Sequence, residues 1–226
     1  MKTVLITGAS KGIGKALADK FLAEGYAVIG TYLSGDVSSQ QGMPNFAQYK
    51  LDLSAPKSIA AFADAVSSLP NPVDILMSNA GVLLDDEETV LDPDKLRKTL
   101  EVNVIGAADL IEKLLPRIAR PAHIVFTSSG AGSLHMTEQG ISHHPGYYPA
   151  YKISKAALNM YAVTLAHRLL GEGITVSAVH PGWVKTDIGG QEADIAPEEA
   201  AADIFALAIS HPKTGGFWFK GKRLPW

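Results

Sequence analysis

The chain of 226 residues contains no cysteine, which removes disulfides, thiolate nucleophiles and cysteine-bound metals from consideration. Its 20 Lys and Arg nearly balance its 23 Asp and Glu, for a formal charge of -3. No basic run is long enough to follow a nucleic acid or a membrane surface, so a small-molecule partner is expected. Long apolar runs are missing as well. "MKTVLITGAS" reaches a glycine after a few residues, too soon for a signal peptide or a membrane span, and a cytoplasmic protein is expected. No low-complexity tract, repeat or linker interrupts the chain. The length suits one α/β domain over residues 1–226, large enough to bury a sizeable core.

What is present is an alternation of strand-length apolar runs with stretches of helical period, the pattern of a parallel sheet built from βαβ units. It predicts seven strands, near 2–7, 26–32, 46–51, 73–78, 122–128, 173–179 and 215–219, and helices near 12–24, 55–68, 93–118, 149–170 and 197–209. "TVLI", "DILMSNAG" and "HIVFTSS" are almost wholly apolar before they turn polar, as strands covered on both faces should be. The expected fold is therefore a doubly wound, single-domain Rossmann sheet with helices on both faces. Ligands of such sheets gather at the carboxyl ends of the strands. Two stretches rich in small and polar residues, 130–149 and 186–197, read as loops over that edge.

The first strand leads into "TGASKGIG", Thr7 to Gly14, and then into a helix. Bare backbone at Gly8, Gly12 and Gly14 can approach a pyrophosphate, and the helix N-terminus offers it amides and a favourable dipole. "YYPAYKISKAAL" raises a second question, because Tyr148 precedes Lys152 by four residues and Tyr151 precedes Lys155 by four. Tyr151, Lys155, Leu158, Ala162, Leu165 and Leu169 share one helical stripe that is apolar except at its first two members. A lysine there faces a site near the helix start or snorkels. Pro149 disfavours helical geometry at Tyr148. The reactive pair is therefore Tyr151 and Lys155, with Tyr147 and Tyr148 left as pocket lining.

The order T-G-x-x-x-G-x-G, then "SNAG", then Tyr-x-x-x-Lys resembles the short-chain dehydrogenase/reductase family across almost the whole chain. That family carries N-N-A-G where Ser78 to Gly81 stand here. "HPGWVKTDIGG" and the terminal "GKRLPW" look like its branch of carbonyl reductases and C-factor-like proteins related to sniffer. The resemblance implies a cofactor cradle of Gly8, Ser10, Lys11, Gly12, Ile13 and Gly14, with Asp52 at the adenine and Leu53, Asn79, Ala80 and Gly81 also binding the cofactor. It adds Pro181, Gly182, Val184 and Thr186 over the nicotinamide. It implies Asn103, Ser129, Tyr151 and Lys155 as the catalytic set, Lys155 also holding the nicotinamide ribose and Asn103 holding a water. Ser129 rather than Ser128 falls in the family's register. Asn103 could instead be a buried amide satisfied by backbone, and Asp52 could belong to a helix start for which Ser54 is the better cap.

Reducing a carbonyl with a nicotinamide requires a proton for the developing alkoxide, and a tyrosine beside a cation gives it up more readily. Ser129 would steady the charge on the substrate oxygen. The second strand ends in Tyr32, Leu33 and Ser34 without an acid, and Lys11 together with Thr31 and Ser34 suits a 2′-phosphate. NADP(H) is thus expected over NAD(H), against which stands Asp36 slightly later. The expected reaction is reduction of an aldehyde or ketone, or oxidation of an alcohol. The alternative is a nucleotide-binding regulatory protein of the C-factor type.

His135, His143, His144 and His180 have no ligand-like spacing, so no metal site is expected. "DDEET", Asp85 to Thr89, reads as a solvated loop. The short 186–197 segment predicts an open pocket, with Trp183, Tyr147 and Met136 as apolar contacts. The resemblance also suggests a homodimer or homotetramer through the fourth and fifth helices.

Overall fold

The computed structural model describes residues 1–34, 42–141 and 147–226; Asp36, His143 and His144 lie outside them. Eight strands form one sheet in the order β3-β2-β1-β4-β5-β6-β7-β8. They are β1 Thr3–Ile6, β2 Ala27–Tyr32, β3 Phe46–Lys50, β4 Val73–Ser78, β5 Ile118–Thr127, β6 Ile174–Val179, β7 Gly216–Phe219 and β8 Lys222–Leu224. The first seven run parallel, and β8 pairs antiparallel with β7. The predicted seven strands are all present. The eighth escaped because three residues after a tight turn carry too little periodicity to read.

Strand pleating sorts the core. Val4 and Ile6 of β1 and Val125 of β5 face α1 (Gly12–Ala23) and α7 (Pro197–Ile209), where Leu17, Phe21 and Ile204 pack. Leu5, Ile124 and Phe126 face the other way, toward α2 (Pro56–Ser67), α4 (Ala107–Leu114) and α6 (Pro149–Arg168), against Phe62, Leu110 and Leu158. Each such side chain contributes about 1.5–3 kcal/mol by leaving water. Successive residues serving opposite layers is why these strands read as unbroken apolar runs. Helices α2, α3 (Pro93–Leu100), α6 and α7 all begin at a proline, whose fixed φ and missing N–H suit a first helical position.

The helix predicted over 93–118 is broken. After α3 the backbone widens into a π-helical turn, Glu101–Gly106, continues as α4, tightens to a 3₁₀ turn at Leu115–Arg117 and enters β5. At Gly106 a Cβ would stand 1.9 Å from the Leu53 carbonyl oxygen, so the helix lies directly on the segment after β3. The loop expected over 130–149 contains a short helix, α5 (Leu134–Glu138). Strand order reverses between β1 and β4, which opens a crevice at their carboxyl ends.

Candidate active site

Thr7, at the end of β1, closes that crevice from beneath. Its hydroxyl oxygen accepts from the amides of Asn79 and Ala80, both at 2.9 Å, and Asn79 Nδ2 donates to the Thr7 carbonyl at 3.1 Å. The glycine turn is thereby tied to the "SNAG" segment. Gly8 holds φ +70°, and at Gly14 a Cβ would sit 2.0 Å from the Gly8 carbonyl oxygen, so a side chain at position 14 would collide with the turn it supports. Lys11, at the N-cap of α1, gives that helix no side-chain cap. First-turn amides without a side-chain cap above bare glycine backbone fit a dinucleotide phosphate.

A cavity of ≈ 660 Å³ follows. Ser10, Lys11, Gly12, Ile13, Gly14, Ser34, Asp52, Leu53, Asn79, Ala80, Gly81, Ser129, Tyr151, Lys155, Pro181, Gly182, Val184 and Thr186 line it together with Gly8. Two residues of the predicted cofactor-binding and catalytic sets do not. Thr31 is buried, and its hydroxyl accepts from the Gly8 amide at 3.1 Å; it shapes the glycine turn rather than facing a ligand. Asn103 is also buried, inside the π-helical turn, with Nδ2 donating to the Val82 carbonyl (2.9 Å) and the Ser154 hydroxyl (3.0 Å) while Oδ1 accepts from the Val82 amide (2.8 Å). The Asn103 side-chain amide is thus engaged in bracing the loop after β4 against α6.

Ser128 donates to Asn159 Oδ1 at 2.6 Å and is buried. Ser129 accepts from the Ala131 amide at 3.1 Å and hydrogen-bonds the Tyr151 phenol. Lys155 lies over the Tyr151 ring, Nζ 5.4 Å from its centroid, and donates to the Thr127 carbonyl at 3.0 Å. Burial pulls the Lys155 ammonium down to about 8. Burial pushes the Tyr151 phenol above its ordinary value, and the Ser129 hydrogen bond works against that rise. Desolvation is the largest influence on the phenol, ahead of the Ser129 hydrogen bond and the neighbouring Tyr148. Lys152 instead sits over Tyr148 at 4.9 Å and Tyr147 at 5.9 Å. Tyr148 takes left-handed φ 33° before Pro149 and packs edge-on against Tyr151 at 6.0 Å.

Asp52 accepts from the Ser54 hydroxyl (2.6 Å) and amide (2.8 Å), which hold its carboxyl below the usual value, hydroxyl first. Ser54 is spent there, and the N-cap of α2 is Ala55, which gives no side-chain bond. Lys11 pairs with Asp187 across the mouth, both side chains exposed. Met136 and Trp183 line the cavity, with the indole N–H donating to the Gly189 carbonyl. Tyr147 is exposed and borders a separate depression with Asp86, Glu87 and Glu88. His180 lines the cavity, whereas His135 is exposed on α5 and does not.

Sequence reasoning missed the apolar wall of Val82, Leu83 and Ile188, and it misread Asp85. That carboxylate is buried, accepting from the Ala150 amide at 2.6 Å and the Tyr151 amide at 3.3 Å. The missed signal was a helix opening on Pro149 with no Ser, Thr, Asp or Asn before it. Among the described residues, no three His, Asp or Glu gather as metal ligands, and no helix is long and apolar enough to cross a membrane.

A glycine cradle at the switch point and a Tyr-Lys pair with a serine, all facing one cleft, define a dinucleotide-dependent α/β oxidoreductase. Comparison with known proteins narrows this. The family model described as short chain dehydrogenase matches residues 2–195. The chain is 33% identical over 222 residues to 1-hydroxy-2-glutathionyl-2-methyl-3-butene dehydrogenase of Rhodococcus sp. (strain AD45), covering 96% of this chain and 95% of that one. It superposes on NADPH-bound carbonyl reductase from chicken fatty liver with a TM-score of 0.90 at 26% identity, covering 100% of this chain and 99% of that chain. Against carbonyl reductase Sniffer of D. melanogaster the TM-score is 0.87 at 25% identity, with 100% of both chains covered. The chain belongs to the short-chain dehydrogenase/reductase family. It is an oxidoreductase of CH–OH and C=O groups.

Proposed function

We propose that the protein is an NADPH-dependent carbonyl reductase that converts an aldehyde or ketone to an alcohol, with Tyr151 as proton donor. The observation that carries this reading is the convergence of Ser129, Tyr151 and Lys155 on the cleft that also bares the glycine turn. When bound, the nicotinamide would supply the hydride. Ser129 and the Tyr151 hydroxyl then converge on the substrate oxygen, and the negative charge growing on that oxygen takes the phenolic proton. The nearby Lys155 stabilises the phenolate left behind until a proton from solvent restores it, so carbonyl, hydride and proton sum to the alcohol. Desolvation raises the phenol, which favours the acid form from which reduction begins.

For the cofactor, Lys11, Ser34 and Ser10 line the same cleft, and the end of β2 carries no acid among its described residues. The chicken relative binds NADPH. Apolar Val82, Leu83, Met136, Trp183 and Ile188 in the lining of the cleft favour a hydrophobic carbonyl compound. The test is cofactor consumption, NADPH against NADH, over a panel of aldehydes, ketones and quinones. Tyr151→Phe should lose turnover and keep NADPH binding. A variant that still turns over would refute the proton-donor role, and a wild type that binds NADPH yet reduces nothing would favour the regulatory alternative.

A further inference from the structure

Helix α6 carries both Tyr151 and Lys155, and its first turn has an unusual supply of partners. Pro149 has no amide, and Tyr148 at the N-cap is in a left-handed conformation and offers no side-chain bond. The next two amides, Ala150 and Tyr151, are both received by one carboxylate from the loop between β4 and α3, Asp85. Asp85 is 1% exposed, so no water competes for those bonds. The Tyr151 carbonyl in turn accepts from the Ser154 hydroxyl at 2.8 Å, and Ser154 accepts from Asn103, whose amide grips both backbone groups of Val82. The loop of residues 82–85 is therefore fastened to α6 at two points, one on either side of the Tyr151 peptide.

Resting on the proton-donor reading of Tyr151, we infer that Asp85 is a positioning residue for the reaction: its carboxylate is a cap in trans that fixes the first turn of α6 and thereby the place of the Tyr151 phenol. A carboxylate at a helix N-terminus also meets the positive end of the helix dipole. Lys155 lies a turn further along and has its own anchor on the Thr127 carbonyl. Loss of the cap displaces Tyr151 much more than Lys155. The proton-transfer step suffers while the cofactor contacts of the rest of the cleft persist.

The experiment compares wild type, Asp85→Ala, Asp85→Asn, the exposed-neighbour control Glu87→Gln and Tyr151→Phe, with NADPH and the best carbonyl substrate. Per folded, NADPH-binding molecule, kcat of Asp85→Ala should fall about 10- to 100-fold with the NADPH Kd changed less than about threefold, since small misplacements of a reacting group cost that much. Asp85→Asn, which keeps one acceptor oxygen, should recover part of kcat, and Glu87→Gln should match wild type. Amide hydrogen exchange should quicken about tenfold at both Ala150 and Tyr151 in Asp85→Ala and at one of the two in Asp85→Asn. Should Asp85→Ala fail to fold, Asp85→Asn decides the matter by the same two readouts. Unchanged kcat and unchanged exchange in Asp85→Asn beside an inactive Tyr151→Phe would overturn the inference alone. Full activity of Tyr151→Phe would overturn the parent reading instead, with the exchange arm still deciding whether Asp85 anchors the helix.

Discussion

His123 sits in the middle of β5, buried between the sheet and α7, and it makes the fold sensitive to mild acid. Nδ1 is 3.1 Å from the Ala208 carbonyl and Nε2 is 2.9 Å from the Ser177 hydroxyl. A carbonyl can only accept, so Nδ1 carries the hydrogen, and in the neutral ring Nε2 then accepts from the serine hydroxyl. Burial pulls the imidazole from 6.5 down to about 4, with His211 adding to the fall and the Ala208 bond opposing it. Between those values the unfolded chain binds a proton that the native state refuses. Stability is complete above about pH 6.5 and drains away as pH falls toward 4. The linkage integral gives a loss of about 2 kcal/mol between pH 7 and pH 5, and about 3 kcal/mol in all. Urea unfolding of wild type and His123→Asn at pH 7, 6 and 5 measures this. The variant should be weaker at pH 7 but flatter with pH, its loss between pH 7 and 5 smaller by about 2 kcal/mol. Parallel pH dependences in the two proteins would refute the reasoning.

Lys155 strains the fold in the opposite window. Its ammonium, at about 8 in place of 10.5, is held more tightly by the unfolded chain, so at pH 7 the buried charge costs stability that returns as pH climbs from 8 to 10.5. Lys155→Met should gain about 2 kcal/mol at pH 7 after about 1 kcal/mol is deducted for the lost bond to Thr127, and should lose turnover. A urea midpoint at or below wild type would contradict this. The adjacent serines should separate cleanly: Ser128→Ala strands Asn159 Oδ1 and costs about 1–3 kcal/mol of stability with kcat retained, whereas Ser129→Ala lowers kcat about 10²- to 10³-fold with an unchanged midpoint. The reverse pattern in thermal melts and initial rates would exchange their roles.

The strands and most helices could be read from the sequence because both covered faces of a parallel sheet demand continuous apolar runs, and because four of its helices announce themselves with proline. The glycine turn was legible for a related reason. Gly14 meets the Gly8 carbonyl so closely that no other residue fits, so the constraint is written in the residue type itself. The choice of Tyr151 over Tyr148 followed from Pro149 and helical period, both local properties. Broken helices were harder to see: nothing in "LEVNVIGA" marks the π-helical turn, which lies where Asn103 reaches Val82 and Gly106 meets Leu53, partners remote in the chain.

By itself, then, the sequence determined the architecture and the glycine turn and singled out Tyr151 with Lys155, since each depends on spacing or on a residue type that local geometry requires, while the family resemblance pointed to Ser129 beside them. Tertiary structure alone decided what each polar group spends its hydrogen bonds on. Thr31 went to Gly8, Asn103 to Val82 and Ser154, and Asp85, an apparently solvated acid, to the start of the helix that holds the reactive tyrosine. The physical reason is that a buried donor or acceptor must find a partner wherever the fold brings one within reach, and that reach spans 65 residues between Asp85 and Ala150.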